Sequence, residues 1–202
     1  MEDFLQSDYK LPSGSDKYMK LGQGDNRFRI LSSAVTGVEF WIETDKGGKK
    51  PIRIKEGGIA PDNFVDDPKS FWAFVVWNYQ EEKVQILSIT QRTIQKSILA
   101  ISKDGDWGNP IQKYDIVVNK KGTTKDNTEY QTMPKPPTKM DEGILQLYKD
   151  LKIDLNALYE GKDPFGEDLV KTEKGPTIAE TKKAEEVANE VEAGLKKDKA
   201  PF

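Results

Sequence analysis

Two sets of side chains in this sequence have the chemistry to hold a ligand. The first is the run Ser70-Phe-Trp-Ala-Phe-Val-Val-Trp-Asn-Tyr79, aromatic at five of its ten positions. Strand side chains alternate between faces, so Phe71, Ala73, Val75, Trp77 and Tyr79 share one side, and Trp72, Phe74, Val76 and Asn78 share the other. A single core needs only one apolar face. A strand with rings on both faces therefore either lies between two layers or presents rings to something outside the chain. The second set is basic: Arg27, Arg29, Lys49, Lys50, Arg53 and Lys55 in the first part of the chain, and Lys120, Lys121 and Lys125 further on.

Much catalytic chemistry is excluded by composition. The chain has no cysteine and no histidine, which removes thiolate and imidazole metal sites, Cys–His and Ser–His nucleophiles, and the usual general base near neutral pH. Gly22-Gln-Gly24 lacks the spacing and the strand-to-helix context of a phosphate loop. Asp104 and Asp106 lack the glutamate that would complete a calcium loop. The adjacent pairs Glu81-Glu82 and Asp66-Asp67 are solvent-prone rather than poised as an acid and a base. The expectation is a protein that is not an enzyme and carries no metal or cofactor.

At 202 residues, 36% apolar and 32% charged, the sequence reads as one folded body diluted by solvated appendages. Residues 1–140 carry 21 basic against 19 acidic residues, a net of +2; residues 141–202 carry 10 against 15, a net of −5. A slightly basic body with an acidic tail suits a polyanion binder whose tail competes for the basic surface. No apolar run spans a membrane and the N-terminus lacks a signal-peptide layout, so a soluble protein of the cytoplasm with no membrane partner is expected.

The elements that must position these residues follow from periodicity. Asn26-Arg-Phe-Arg-Ile-Leu31 alternates, and strand character continues over 35–42, with Gly37 a candidate bulge in one long bent strand. Residues 51–55 read as a short edge strand. Residues 70–79 and 83–89 form a hairpin across Gln80-Glu-Glu82. Thr90 is placed as an N-cap for an amphipathic helix of about 13 residues carrying Ile94, Ile98, Leu99 and Ile101. Trp107 sits in a glycine loop as a cap over one end of the body. Strands at 113–119 and 128–133 follow, joined by the loop that holds Lys120, Lys121 and Lys125. Two short helices are expected around Leu145–Leu151 and Leu155–Tyr159.

Long bent strand, hairpin, lone helix and second hairpin is the order of a five-stranded OB barrel, mainly β with one bridging helix; a generic α+β sandwich is the alternative. The divisions are an N-terminal extension (1–24), the OB domain (25–140), short helices packed on it (141–165) and an acidic, disordered or partly helical tail (166–202). In such a barrel the basic residues would form two cationic rims. The floor between them would carry rings from 70–79 together with Trp41 and Tyr114. Rings stack on unpaired bases at about 1–3 kcal/mol each, and Lys and Arg track phosphates, so this layout suits single-stranded nucleic acid. Trp72 and Phe74 are read as the outward pair, with Ala73 and Val75 suiting a core.

The stretches 74–79, 83–96, Asp106-Trp-Gly108, Tyr114-Asp-Ile116 and Tyr130-Gln-Thr-Met-Pro-Lys-Pro136 resemble single-stranded DNA-binding proteins of tailed bacteriophages. Asn26–Leu31, Leu155-Asn-Ala-Leu158 and Asp163-Pro-Phe165 fit the same pattern. The resemblance covers roughly residues 15–166. It implies coating and melting of single strands during phage DNA replication, recombination and repair, in the host cytoplasm. A remoter similarity is to the helix-destabilising protein of T4-like phages, whose Cys/His zinc site this sequence lacks. Many such proteins end in acidic residues and a phenylalanine that docks replication partners. Here Pro201-Phe202 fits, while the lysines at 196, 197 and 199 depart from the pattern. A non-enzymatic protein–protein adaptor using the aromatic surface and the tail is the alternative reading.

Overall fold

A computed structural model describes residues 16–166 apart from residues 46, 107–109 and 125. The expectations for Trp107, for the first fifteen residues and for the tail beyond Gly166 lie outside the described residues.

Alternation builds most of the molecule. The strands are β1 (Gly24–Ile30), β2 (Val35–Glu43), β3 (Lys49–Ile54), β4 (Lys69–Asn78), β5 (Lys83–Ile89), β6 (Asp115–Lys121) and β7 (Glu129–Pro134). They form one antiparallel sheet in the order β3-β2-β4-β1-β6-β7, with β5 paired to β4. The long bent strand expected over 26–42 is β1 followed by β2, and the bend lies at residues 31–34 rather than at Gly37. Hydrogen bonding to β4 continues through it. Leu31 N–H donates to the Val75 carbonyl at 2.9 Å, and Val75 N–H donates to Ser32 Oγ at 2.9 Å. Gly37 has a different purpose: a Cβ there would lie 2.0 Å from the Ile54 carbonyl oxygen, so only glycine lets β3 come this close.

The helix α1 (Arg92–Lys103) lies between the two hairpins. Gln91, not Thr90, is its N-cap, and it makes no side-chain cap bond. The Gln91 side-chain oxygen instead accepts from Thr90 N–H at 3.2 Å. Strand β6 begins two residues later than the periodicity suggests, because Ile111–Lys113 form a 3-10 turn after Pro110. The C-terminal part holds α2 (Glu142–Asp150) and a 3-10 helix, Leu155–Glu160. Asp141 caps α2 by accepting from Gly143 N–H at 2.8 Å.

Two cores share β4. Phe74 and Val76 point into the first, with Phe28, Ile30, Leu87, Ile89, Ile94, Ile98, Tyr114, Ile116 and Val118. Phe71, Ala73, Val75 and Trp77 point into the second, where Val84 and Ile86 join Ile144, Leu147, Leu155, Leu158 and Phe165. The outward orientation expected for Phe74 is therefore overturned: Phe74 is 2% exposed, and Trp77 on the opposite face is also 2% exposed. Both sides of the aromatic strand are core because residues 142–165 supply a second apolar layer.

Among the described residues no hydrogen-bonded pairing joins β5 to β7. Part of the β5 edge is taken by the segment leading into β1. Met19 N–H donates to the Ile86 carbonyl and Ile86 N–H to the Lys17 carbonyl, each at 2.9 Å. Met19, Leu21 and Tyr130 then pack with α1 in the first core. Among the described residues no helix is long and apolar enough to cross a membrane.

The second layer is integral to the fold. Five buried apolar side chains from residues 144–165, at about 1.5–3 kcal/mol each, contribute on the order of 10 kcal/mol. That equals the net stability of a typical domain. Leu158→Ala should accordingly lower unfolding free energy by about 2–5 kcal/mol in urea titrations followed by tryptophan fluorescence. An unchanged midpoint would mean that the layer is a detachable cover.

Candidate functional site

The first candidate cluster lies where β1, β6 and the end of β4 meet. Alternation puts Arg27 and Arg29 on the outer face of β1, opposite Val117 and Asp115 of β6. Asp115 Oδ2 accepts from Arg27 Nε at 2.8 Å. Its Oδ1 accepts from Arg29 Nε and from the Tyr79 hydroxyl at 3.0 Å. Arg29 is fully engaged: Nη1 donates to the Gln112 and Thr138 carbonyls at 3.2 and 3.1 Å, and Nη2 to Thr138 Oγ1 at 2.6 Å. The guanidinium of Arg27 lies 4.2 Å from the Tyr79 ring centroid.

This arrangement changes the role expected for the arginines. Arg29 is 1% exposed and its donors face protein acceptors, so it has no face for a phosphate. Arg27 keeps an exposed edge, but its charge is shared with Asp115. Tyr79 is half-buried between these groups. Burial, and then the hydrogen bond to Asp115, push its phenol above the usual tyrosine value.

The second cluster stands on the arm formed by β2 and β3. Trp41 is half-buried on the outer face of β2. Pro51 lies directly opposite it, with Lys49 and Arg53 as diagonal neighbours on the same face. Glu39, two residues before Trp41, is opposite Lys69 of β4 and receives Arg53 Nε at 3.0 Å. Arg53 also lies 5.4 Å from the Phe71 ring centroid, and Lys55 lies 5.3 Å from that of Tyr159. Lys49 pairs with Asp66 at 3.0 Å, both being half-exposed. Lys69 is exposed and has no ion pair among the described residues. Lys50 pairs with Ile42 and therefore faces the other side of the arm.

The remaining candidates are scattered. Tyr114 is 1% exposed and belongs to the first core, so it offers no stacking surface. Trp72 packs against the same core and is only partly buried. Lys120 is half-buried, its Nζ 3.3 Å from the Leu21 carbonyl, and Lys121 is exposed at the end of β6. Lys125 and Phe202 lie outside the described residues. The first expected rim is divided, its lysines and Arg53 on or beside β3 at one end of the strand order and Arg27 and Arg29 in β1 next to β6, and the rings from 70–79 expected as a floor are shared between the two cores. The buried Trp77 and Phe74 therefore do not line a groove. Lys69 and Asp115 went unread as site residues. Both stand in alternating strands, where parity gives a face but not the partner on the neighbouring strand.

No family model, curated protein or solved structure matches this chain.

The charge cluster makes two expectations testable. Asp115→Asn leaves the buried Arg29 uncompensated and should cost about 3–5 kcal/mol of unfolding free energy, measured by denaturant titration. An ordinary phenol titrates at about 10. Because folding raises the Tyr79 value, its share of stability is intact below that pH and is lost as pH rises through the folded-state value. Tyr79→Phe should therefore flatten part of the alkaline decline in urea midpoint, to which Tyr18 and Tyr114, whose phenols burial also raises, contribute as well.

Proposed function

We propose that this protein is a non-enzymatic, sequence-tolerant binder of single-stranded DNA, and that it makes its stacking contact on the outer face of the β2–β3 arm. The observation that carries this reading is Trp41, partly exposed outside both cores, with the half-exposed Lys49 as a cross-strand neighbour and the exposed Lys69 one strand away, while Arg53 is taken up by Glu39. A ring offers a surface on which any unpaired base can stack, and flanking cations follow the phosphates without reading sequence.

Chain order supports the same reading. With β1 and β2 taken as one broken strand, the succession β1/β2, β4, β5, α1, β6, β7 follows the five strands and bridging helix of an OB barrel. The arm is then an insertion in the first connection, one of the two that border the ligand face in that architecture. The second apolar layer covers the outer side of β4 and β5, so the contact moves outward to the arm. The resemblance to phage single-strand binders agrees with this class and suggests a role in phage DNA replication, recombination and repair.

Titration of tryptophan fluorescence with oligo-dT at several salt concentrations tests the proposal. Binding should weaken with salt at a log–log slope of about −0.7 per phosphate neutralised. Trp41→Ala should cost about 1–3 kcal/mol of binding, and Lys69→Ala should reduce the slope by about one phosphate's share. Duplex DNA should bind less well, since its bases are already stacked. Absence of quenching and of salt-dependent binding would overturn the proposal; equal loss with Trp72→Ala and none with Trp41→Ala would move the contact off the arm.

A further inference from the structure

The connection that runs along the edge of β2 carries a second pattern, although its Asp66 is already held by Lys49 of β3. Between Glu56 and Pro68, the connection from β3 to β4 holds four acidic residues, Glu56, Asp62, Asp66 and Asp67, and no basic one. It also exposes Ile59 at 93%, Phe64 at 43% and Val65 at 42%. Phe64 is anchored edge-on to Phe40 at 5.3 Å and bridges to Ile42. Val65 beside it is held through its own N–H, which donates to the Trp41 carbonyl at 2.8 Å.

Helix α1 carries the complement. Its exposed residues Arg92, Lys96, Leu99 and Lys103 recur at helical spacing and form one outer stripe, basic with an apolar centre; the helix contains no acidic residue. Leu99 is 42% exposed.

The two surfaces lie on one side of the sheet. Phe40 and Ile42 share the parity of Thr36, which pairs with Trp72, and Trp72 packs against the core that α1 closes. Gln95 of α1 donates to the Ser70 carbonyl at 3.1 Å, two residues after the acidic loop ends. An acidic–apolar loop beside a basic–apolar helix makes a single self-complementary patch. A two-fold axis through such a patch sets each loop on the other copy's helix, satisfying both surfaces at once and closing the assembly.

We propose that this face is a homodimer interface, with the 56–68 loop of each copy docked on the Arg92–Lys96–Leu99–Lys103 stripe of its partner. The charges sit at the rim and are open to salt, so the dimer is of the weak, ionic-strength-dependent kind.

The test is sedimentation velocity of the full chain without nucleic acid, over a range of protein and salt concentrations. Its outcome is therefore separate from that of the DNA titration. The wild type should show a dimer at low salt that dissociates as salt rises. One variant carries Arg92→Glu with Lys96→Glu, and another carries Asp62→Lys with Asp67→Lys. These are surface positions, so circular dichroism and urea midpoints should stay at the wild-type values. Each variant alone should be monomeric, and their equimolar mixture should regain a dimer-sized species because opposite charges then face one another. A wild type monomeric at every concentration, a dimer that survives either reversal, or a mixture that stays monomeric would each overturn the proposal.

Discussion

The contact between Arg29 and Asp115 organises more of this molecule than any other polar interaction. Asp115 opens β6, Arg29 lies in β1, and Tyr79, which follows β4, completes the ring around the carboxylate. Through Gln112 and Thr138 the same guanidinium reaches the turn before β6 and the segment leaving β7. That second connection matters most. Residues 135–141 carry the chain from the edge of the sheet back across it, and Arg29 fixes their path so that α2 arrives over β4. A buried ion pair has a large desolvation cost, and replacing both partners with apolar side chains is often neutral for stability. What an apolar pair would not supply is direction. Arg29 presents donors at set angles to acceptors on three different segments.

Once the returning chain lies over β4, the aromatic strand has to be read as a shared wall. Its rings are divided between the α1 core and the layer made by residues 142–165. A wall buried on both sides cannot also be a floor for ligand. Exposing Trp77 would require removing side chains whose burial contributes as much as the whole domain typically has in reserve. The proposed contact therefore falls outside that wall. Trp41 belongs to neither core, although β3 beside it reaches the second layer through Arg53 on Phe71 and Lys55 on Tyr159.

Periodicity made the strands, the single helix and the two short C-terminal helices legible, and the turn residues between two apolar runs made the hairpin of β4 and β5 legible. Neither gave a way to orient β4. Both of its faces are apolar, and the deciding partners, Leu147 and Leu158, come 70 or more residues later. Arg27 and Arg29 show the same limit from the other side. Their alternation with Phe28 and Ile30 correctly assigns them to the face away from the α1 core. Outward on a strand means solvent only when no second layer lies there, and Asp115 is 86 positions further along the chain. Gly37 was legible as unusual but not in its purpose, since the need for a missing Cβ is set by the carbonyl of Ile54 on a neighbouring strand.

The same alternation that hid the wall divides the residues of the two proposed surfaces. On β2, odd positions carry Glu39 and Trp41 toward the face shared with Lys49 and Lys69. Even positions carry Phe40 and Ile42 toward Phe64 and the acidic loop. A two-stranded arm has no room for a core of its own, so each face must be covered by something else. The loop partly covers the even face and leaves apolar residues exposed beside acids. The odd face is left with the Trp41 ring beside Lys49 and Lys69, with Glu39 and Glu43 on the same side. The two surfaces meet at the ion pair between Lys49 and Asp66. A polyanion drawn to the lysine face is repelled by the acids of the loop, and a basic helix drawn to the loop is repelled by the lysines. The two proposed contacts would thus use alternate residues of one short arm and be coupled through the Lys49–Asp66 pair.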